Sequence, residues 1–225
     1  MDKCGEEVAM GKTVDLKKGE LSSHVKKALK AIRDGYVISI PLEHGYVFAV
    51  DAFHHDAVRA MHVLRGDPLF TSAQVLVAST KTAQGVVREI TPEVAALMKN
   101  FWPGMLSLNL RPQTGLNWDL GDKNRLDQVS IRVPKSKFAK ALLAATGPLA
   151  VASAAKPGQP APRSLSEITI ADRDTDLALQ FNNGNLRKGP LTTVVEADES
   201  GLSVLRIGAI SLQEIRNIVP GASAL

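Results

Sequence analysis

Cysteine, aromatic residues and long apolar runs are scarce in this 225-residue chain, in which only 4% of the residues are aromatic. Cys4 is the single cysteine, so the chain can form neither an internal disulfide nor a cysteine-rich zinc site. No apolar run approaches the roughly 18 residues needed to cross a bilayer, and residues 1–7 lack the apolar segment of a signal peptide. We therefore expect a cytoplasmic protein with no membrane partner.

The two commonest glycine-rich nucleotide motifs are also missing. The sequence contains neither G-x-x-x-x-G-K-[ST] nor G-x-G-x-x-G, so any phosphate binding must use another architecture. His54, His55, Asp56 and His62 could be drawn as a metal cluster, but adjacent residues at the start of a helix point in different directions. We interpret this segment as a solvated helix entry and predict no metal site.

The remaining composition is that of a folded domain with a mild basic excess. Hydrophobic residues make up 44% and charged residues 22% of the chain, which suits a globular protein with a sizeable core. The formal net charge is +4 and the sequence pI is about 9.2. This excess is compatible with an anionic partner such as a nucleotide or RNA, although many housekeeping domains carry as much.

Apolar periodicity divides the chain into an extension, one domain and a tail. Residues 1–20 mix lysines with acidic residues and show little periodicity, so we expect a loosely packed extension. Residues 21–215 interleave helical and strand patterns, which predicts an α/β fold. Residues 216–225 are expected to form a frayed C-terminal tail.

The individual helices and strands are predicted from capping residues, glycine positions and the alternation of polar and apolar residues. A helix is predicted from Ser22 or Ser23 to Gly35, and Thr91 opens another with Pro92 at its first position. Further helices are predicted at residues 56–64, 136–146, 164–171 and 212–218. Strands are predicted at residues 36–40, 46–50, 73–78, 106–110, 129–133, 149–153, 191–196 and 202–207. Residues 112–128 read as a surface loop.

Two of these predicted strands have one polar face. Ser107 and Asn109 alternate with leucines, and Ser130 and Arg132 alternate with branched apolar residues. Strands of this kind can carry polar groups into a cleft. Phe101 and Trp102, just before the first of them, are interpreted as core and turn anchors rather than as ligand stackers.

Several short segments, read together, resemble a known family. In chain order they are Pro41-Leu42-Glu43-His44-Gly45-Tyr46, Arg65-Gly66-Asp67-Pro68, Phe101-Trp102-Pro103-Gly104-Met105-Leu106-Ser107, Arg132-Val133-Pro134, Ser153-Ala154-Ala155, Thr192-Thr193-Val194-Val195 and Leu205-Arg206-Ile207-Gly208-Ala209-Ile210. Their order and spacing are similar to those of the YrdC-like family, which includes threonylcarbamoyl-AMP synthases. The resemblance covers residues 21–215, and Phe-Trp-Pro-Gly is its most specific part.

This resemblance implies a fold and a chemistry. The fold is a twisted mixed β-sheet flanked by helices, with a concave basic cleft. Active relatives use ATP with Mg²⁺, L-threonine and bicarbonate to form threonylcarbamoyl-AMP with release of pyrophosphate, in tRNA modification. A carboxylate attacks the α-phosphorus in that reaction, so the site must offset the charge of the triphosphate.

The family's functional residues carry over to a set of candidates in this chain. Those expected to bind a nucleotide or another anion are Arg65, Ser107, Arg132, Ser153, Thr192, Thr193 and Arg206. Those expected in the substrate loop are Glu43, His44 and Tyr46. No residue is assigned a catalytic role, and Arg132 could equally form a simple ion pair.

Three departures from the family pattern make synthesis uncertain. Asp67 replaces an arginine and would repel phosphate, Ala155 replaces an asparagine, and Leu42 stands where the loop has a threonine. We therefore expect a divergent YrdC-like protein whose cleft binds a nucleotide, another small anion, or double-stranded RNA or tRNA. The alternatives are an active L-threonylcarbamoyladenylate synthase and a synthase-like enzyme with altered substrate specificity. Lys156 is a candidate replacement for the lost cation.

Overall fold

One eleven-stranded mixed β-sheet organises the computed structural model, which describes residues 11–125, 127–170 and 177–224. The strands are β1 (Lys12–Asp15), β2 (Ile38–Pro41), β3 (Tyr46–Asp51), β4 (Gln74–Leu76), β5 (Leu106–Leu110), β6 (Val129–Arg132), β7 (Leu149–Ser153), β8 (Leu179–Asn182), β9 (Thr193–Asp198), β10 (Gly201–Arg206) and β11 (Ser223–Ala224). Their order across the sheet is β1-β8-β2-β3-β7-β4-β6-β5-β9-β10-β11. The α/β class expected from the sequence is confirmed.

Six α-helices and one short 3-10 turn accompany the sheet in the described residues. They are α1 (Leu21–Arg33), α2 (His55–Arg65), α3 (Thr80–Gln84), α4 (Pro92–Phe101), α5 (Lys137–Thr146) and α6 (Leu212–Ile218), with the 3-10 turn at Leu165–Glu167. Thr91 and Ser136 cap α4 and α5 by accepting backbone N–H groups, as their side chains predict. None of the helices in the described part of the chain has the length and apolarity required to cross a membrane.

The two faces of the sheet build two separate cores. On one face Ile32 of α1 and Leu142 of α5 pack with strand residues such as Phe181. On the other face α2, α4 and α6 contribute Met61, Leu97 and Ile215 to the larger core. Strands β3, β4 and β7 therefore send alternate side chains into different cores, as the two-residue repeat of a strand requires.

The face covered by α1 and α5 becomes polar beyond β4. Strand register places Gln74 of β4, Ser130 and Arg132 of β6, and Ser107 and Asn109 of β5 on this same face. These are the polar positions that alternate with leucine, valine and isoleucine in the sequence. The change from an apolar to a polar face marks where helix packing stops and a cleft begins.

Both chain ends take part in the sheet more than the sequence predicted. In β1, Val14 is only 6% exposed and pairs with Phe181 of β8, so residues 12–15 are not a loose extension. At the other end β11 pairs with β10, so residues 223–224 are not a free tail. The four residues of β1, with one buried side chain, and the two exposed residues of β11 give too short an alternation to detect, which explains both errors.

Other differences concern element bounds and short elements. Helix α1 begins at Leu21 with Glu20 as its N-cap, so neither Ser22 nor Ser23 caps it. The strand predicted at residues 191–196 lies at Thr193–Asp198, and the helix predicted from residue 164 is only the 3-10 turn; residue 171 lies outside the described residues. The sequence reading missed β8 and α3, since three to five residues carry little periodicity.

The packing of β1 can be tested at neighbouring positions. Val14→Ala should lower the free energy of unfolding by about 1.5 to 2.5 kcal/mol, because it removes buried methyl groups. Thr13→Ala, on the exposed side of the same strand, should change it by no more than about 0.5 kcal/mol. Urea unfolding of both variants measures the difference, and equally small effects would mean that residues 12–15 do not pack into the domain.

Candidate functional site

A cleft of about 1460 Å³ lies where the polar part of the sheet meets three connecting segments. Its walls come from the β2–β3 loop, from the end of β7 with the segment after it, and from residues 188–192 beside Arg206. The cationic side chains that line it are Arg132, Lys156, Arg163, Lys188 and Arg206. The carboxylates that line it are Glu43 and Glu167. The lining therefore carries an excess of positive charge.

The proline-rich segment after β7 is held against the β2–β3 hairpin. The N–H of Tyr46 donates to the carbonyl of Pro162 at 2.7 Å, and the N–H of Leu186 donates to that of Arg163 at 2.7 Å. A Cβ on Gly45 would lie 2.5 Å from the Cβ of Ala161, so only glycine permits this approach. These contacts fix the segment that carries Lys156 and Arg163.

Arg132 and Glu43 form an ion pair in the cleft wall. The Nη2 group of Arg132 donates to Glu43 Oε2, while its Nε donates to the carbonyl of Gly104 at 2.7 Å. The second oxygen of Glu43 accepts the backbone N–H of Lys135. Their side chains are 5% and 11% exposed. Arg132 thus lies at the cleft, but Glu43 offsets its charge, as the ion-pair interpretation of the sequence anticipated.

Arg206 is a cationic group of the opposite wall without such compensation. Its Nε donates to the carbonyl of Thr192 at 3.1 Å and its Nη2 donates to Thr192 Oγ1 at 2.7 Å. Partial burial lowers the pKa of the guanidinium from its ordinary value, which still leaves it charged at neutral pH. Within the described residues, no carboxylate lies at salt-bridge distance from Arg206, Lys156, Arg163 or Lys188.

Two further candidates, His44 and Ser153, also line the cleft. His44 Nδ1 lies 3.1 Å from the carbonyl oxygen of Arg187, so the proton on Nδ1 donates to that carbonyl. The hydroxyl of Ser153 is buried and has no hydrogen-bond partner among the described residues. Six of the sequence candidates therefore meet in one cleft: Glu43, His44, Arg132, Ser153, Thr192 and Arg206.

Ser107 and Thr193 do not line the cleft, in contrast to their predicted role as direct ligand contacts. Both are fully buried. Ser107 Oγ accepts from Gln74 Nε2 at 2.9 Å. Thr193 Oγ1 donates to the carbonyl of Ile210 at 2.6 Å and accepts the N–H groups of Gly208 and Ile210. Thr193 therefore fastens the chain after β10 onto β9, beside Arg206.

Tyr46 is also buried behind the cleft rather than in a substrate loop. Its hydroxyl donates to the carbonyl of Gly184 at 2.9 Å and accepts the N–H of Asn183 at 2.9 Å. Burial raises the pKa of the phenol above its ordinary value of 10.0. Tyr46 ties the turn after β8 to the hairpin, and strand alternation directs its side chain away from the cleft face.

Arg65 and Asp67 form a buried network instead of a phosphate grip. The Nε of Arg65 donates to Asp67 Oδ2 at 2.9 Å, and its Nη1 donates to the carbonyls of Ser153 and Ala155. The side chain of Asp67 is only 1% exposed. Asp67 does not face the cleft and so does not repel a ligand there, contrary to our expectation. Its partner Arg65 braces the end of β7 from behind.

His62 completes this network. Its Nδ1 lies 2.7 Å from Asp67 Oδ2 and its Nε2 lies 2.8 Å from the carbonyl oxygen of Leu120. The carboxylate of Asp67 thus contacts both His62 and Arg65.

The other histidines at α2 have local structural partners. His54 accepts the N–H of Ala57 and caps the helix, and His55 Nε2 lies 3.3 Å from the carbonyl oxygen of Asn117. Within residues 11–125, 127–170 and 177–224, no three His, Cys, Asp or Glu side chains come together as a metal site would require.

Sequence reasoning missed six polar residues of the cleft: Gln74, Gln159, Arg163, Glu167, Thr169 and Lys188. Gln74 sits on a predicted strand, and its place beside polar-faced neighbours was a usable signal. The other five lie in loops or in the 3-10 turn, where composition does not tell which surface a residue lines. Lys156, considered as a replacement cation, does line the cleft, as do Leu42 and Ala155.

Comparison with known proteins gives the same relatives by sequence and by structure. The Sua5/YciO/YrdC family model, described as telomere recombination, matches residues 30–208. A provisionally named threonylcarbamoyl-AMP synthase of Mycobacterium leprae is 30% identical over 201 residues, covering 88% of this chain and 90% of the relative. The threonylcarbamoyl-AMP synthase of Pyrococcus abyssi is 28% identical, covering 87% of this chain and 57% of that protein.

Solved structures agree with this fold. P. abyssi Sua5 complexed with L-threonine superposes with a TM-score of 0.84 at 26% identity, covering 95% of this chain and 62% of that one. This chain therefore spans less than two thirds of the P. abyssi structure. E. coli YciO superposes with a TM-score of 0.77 at 22% identity, covering 91% of this chain and 98% of that one, which supports the fold alone.

The buried network predicts a large effect of a small substitution. Asp67→Asn should lower the free energy of unfolding by about 3 to 5 kcal/mol, because it leaves the largely buried guanidinium of Arg65 without its carboxylate. Asp34→Asn removes the exposed partner of Lys30 and should cost less than about 1 kcal/mol. Denaturant unfolding compares the two, and a loss at Asp67 as small as that at Asp34 would contradict the network.

Tyr46 predicts a pH dependence of stability. The folded state resists ionisation of the phenol, while the unfolded chain ionises it near pH 10, so the contribution of Tyr46 is present below about pH 10 and is lost as the pH rises above it. Tyr46→Phe should cost about 1 to 3 kcal/mol near pH 8 through the unpaired Gly184 and Asn183 groups. Urea unfolding should show that this cost shrinks toward about pH 11. The same cost at pH 8 and at about pH 11 would contradict the predicted pH dependence.

Proposed function

The chain belongs to the Sua5/YciO/YrdC family and is homologous to threonylcarbamoyl-AMP synthases of tRNA modification, and from this premise we propose that its cleft binds a nucleoside triphosphate. The observation that carries the proposal is the group of uncompensated cations: Lys156, Arg163, Lys188 and Arg206. They face one another across a cleft large enough for a nucleotide. A triphosphate supplies the matching negative charge.

The cations of this cleft differ in origin from those of the family pattern. Arg65 donates to Asp67 and to backbone carbonyls, so it does not extend into the cleft. The segment after β7 supplies Lys156 and Arg163 instead, and the opposite wall supplies Lys188 and Arg206. We infer that the phosphate grip has moved from the end of α2 to these loops.

Mg²⁺ would enter this cleft on the phosphates of the nucleotide. Glu43 is occupied by Arg132 and by the N–H of Lys135, and Glu167 accepts the N–H of Arg163 at 2.7 Å. Two engaged carboxylates do not make a metal cage, whereas Mg²⁺ usually combines few protein ligands with substrate phosphates. The residues present therefore suit a magnesium-nucleotide complex better than a resident ion.

A second candidate function is synthesis of threonylcarbamoyl-AMP from ATP, L-threonine and bicarbonate. The observation that favours it is the position of Asp67, which is paired in the interior and adds no negative charge to the cleft wall. The near full-length match to the M. leprae relative also supports it. Ala155 and Leu42 line the cleft without side-chain hydrogen-bonding groups, which is why binding is proposed ahead of synthesis.

Double-stranded RNA or tRNA is the alternative occupant of the same cations. Phosphate contacts from lysine and arginine dominate nucleic-acid affinity and weaken with added salt. A rigid duplex would have to reach into the cleft, whereas a nucleotide fits inside it, so we favour the nucleotide. RNA that displaces bound ATP at low salt would reverse this preference.

The proposal is tested by calorimetry with Mg·ATP. The wild type should bind, and Arg206→Ala should weaken binding about 10- to 100-fold, because it removes a charge-assisted contact. Arg59→Ala, an exposed arginine of α2 outside the cleft lining, is the matched control and should bind as the wild type does. No binding by the wild type, or an equal loss in both variants, would refute the proposal.

Turnover separates the two candidate functions. Pyrophosphate release from ATP that depends on L-threonine and bicarbonate would support synthesis. ATP binding without such release, beside an active synthase as a positive control, would leave binding as the function.

A further inference from the structure

Gln74 is a polar residue of the cleft that the family resemblance does not account for. It begins β4, and its side chain lines the cleft near Arg132 and Ser153. Most side chains on this face of β4 and β7 are apolar and pack under α1 and α5, as Leu76 and Val151 do. A glutamine at the boundary between that core and the cleft needs an explanation.

The amide nitrogen of Gln74 is fully engaged by the sheet. Its Nε2 donates to Ser107 Oγ at 2.9 Å and to Ser130 Oγ at 3.2 Å, which uses both N–H groups. Ser107 is completely buried, so this contact anchors the amide from beneath. The head group is therefore anchored at the sheet, with its nitrogen toward β5 and β6.

The amide oxygen is left free by this arrangement. Among the described residues Gln74 Oε1 has no hydrogen-bond partner, and it is not enclosed as the buried unpaired oxygens are. An amide oxygen accepts two hydrogen bonds. The cleft thus contains a fixed acceptor in a lining that is otherwise dominated by cationic donors.

A second unpaired group lies on the same face of the next strand. Val151 of β7 is directly opposite Gln74, and Ser153 follows two residues later. Such diagonal neighbours are about 7 to 8 Å apart on one face of a sheet. The Ser153 hydroxyl is buried without a partner in the described residues. One small polar group between the two could bond to both.

We propose that Gln74 is a specificity-determining residue that, with Ser153, accepts a primary amino group of the cleft ligand. A fixed carbonyl acceptor selects hydrogen-bond donors, and a primary amino group, unlike a hydroxyl, has enough hydrogens to donate to Gln74 and to Ser153 at once. A ligand drawn in by the surrounding cations must also carry an anionic group. The ligand is therefore bipolar, with phosphate or carboxylate at one end and an amino group at the other. This inference rests on the proposed function, and two sources fit it: the amine of an adenine base and the ammonium of an amino acid.

The test compares Mg·ATP, Mg·ITP, L-threonine and pyrophosphate as calorimetric probes. ITP carries an oxygen in place of the adenine amine, and pyrophosphate has no amino group. Gln74→Leu removes the acceptor, and Gln74→Glu keeps an acceptor oxygen at the same length. Gln213→Leu makes the same change at an exposed glutamine of α6 and is the matched control.

The wild type should bind a probe that carries the recognised amino group more tightly than one that lacks it. Gln74→Leu should weaken the binding of that amino-bearing probe about three- to tenfold. Loss of the preference for ATP over ITP would identify the adenine amine, while loss of L-threonine binding would identify the ammonium. Pyrophosphate binding should be unchanged in Gln74→Leu, which shows that the cleft is intact. Gln74→Glu should retain the preference.

Two outcomes would overturn the inference in distinguishable ways. If the wild type binds ATP but Gln74→Leu binds each probe as tightly as the wild type does, Gln74 has no recognition role while the proposed function stands. If the wild type binds none of the probes, the proposed function and the role of Gln74 fail together. Should Gln74→Leu not fold, Gln74→Met keeps the length without the acceptor, and the same two outcomes apply.

Discussion

The cleft exists because helices cover only part of one sheet face. Helices α1 and α5 pack over the strands on one side of β4, where alternate residues are apolar. Beyond β4 the same alternation presents serine, asparagine and arginine. An apolar face must be buried, whereas a polar face can border water, so the change in residue type decides where packing ends. The loops that rise beside this boundary then enclose the site.

Buried ion pairs determine which charges the cleft offers. Asp67 holds Arg65 and His62 in the interior, and Glu43 holds Arg132 in the wall. Burying a charge is costly unless it is paired, so each of these groups is fixed by its partner. Among the described cations that line the cleft, those without carboxylate partners are in the loops and at the end of β10. Consequently the positive charge available in the cleft comes from side chains that no carboxylate compensates.

Several residues of the motif segments have structural roles in this protein. Trp102 is buried and its Nε1 donates to the carbonyl of Leu106 at 2.8 Å, as its anchoring interpretation requires. Thr193 fastens one loop, and Arg65 braces the end of β7. Asp67, at a position that the family resemblance associates with phosphate, is part of the scaffold in this chain. The cleft retains a cationic character through other side chains.

The sequence alone determined the α/β class, the family and most strands and helices, because these follow from residue periodicity, caps and an ordered series of motifs. It also placed six candidate residues that do share one cleft. Tertiary structure alone decided which candidates face the cleft. Ser107, Thr193, Tyr46 and Arg65 carry suitable groups, yet burial and internal hydrogen-bond partners keep them out of the cleft lining. Charge is read from a sequence one residue at a time, but its compensation depends on partners distant in the chain, such as Glu43 for Arg132.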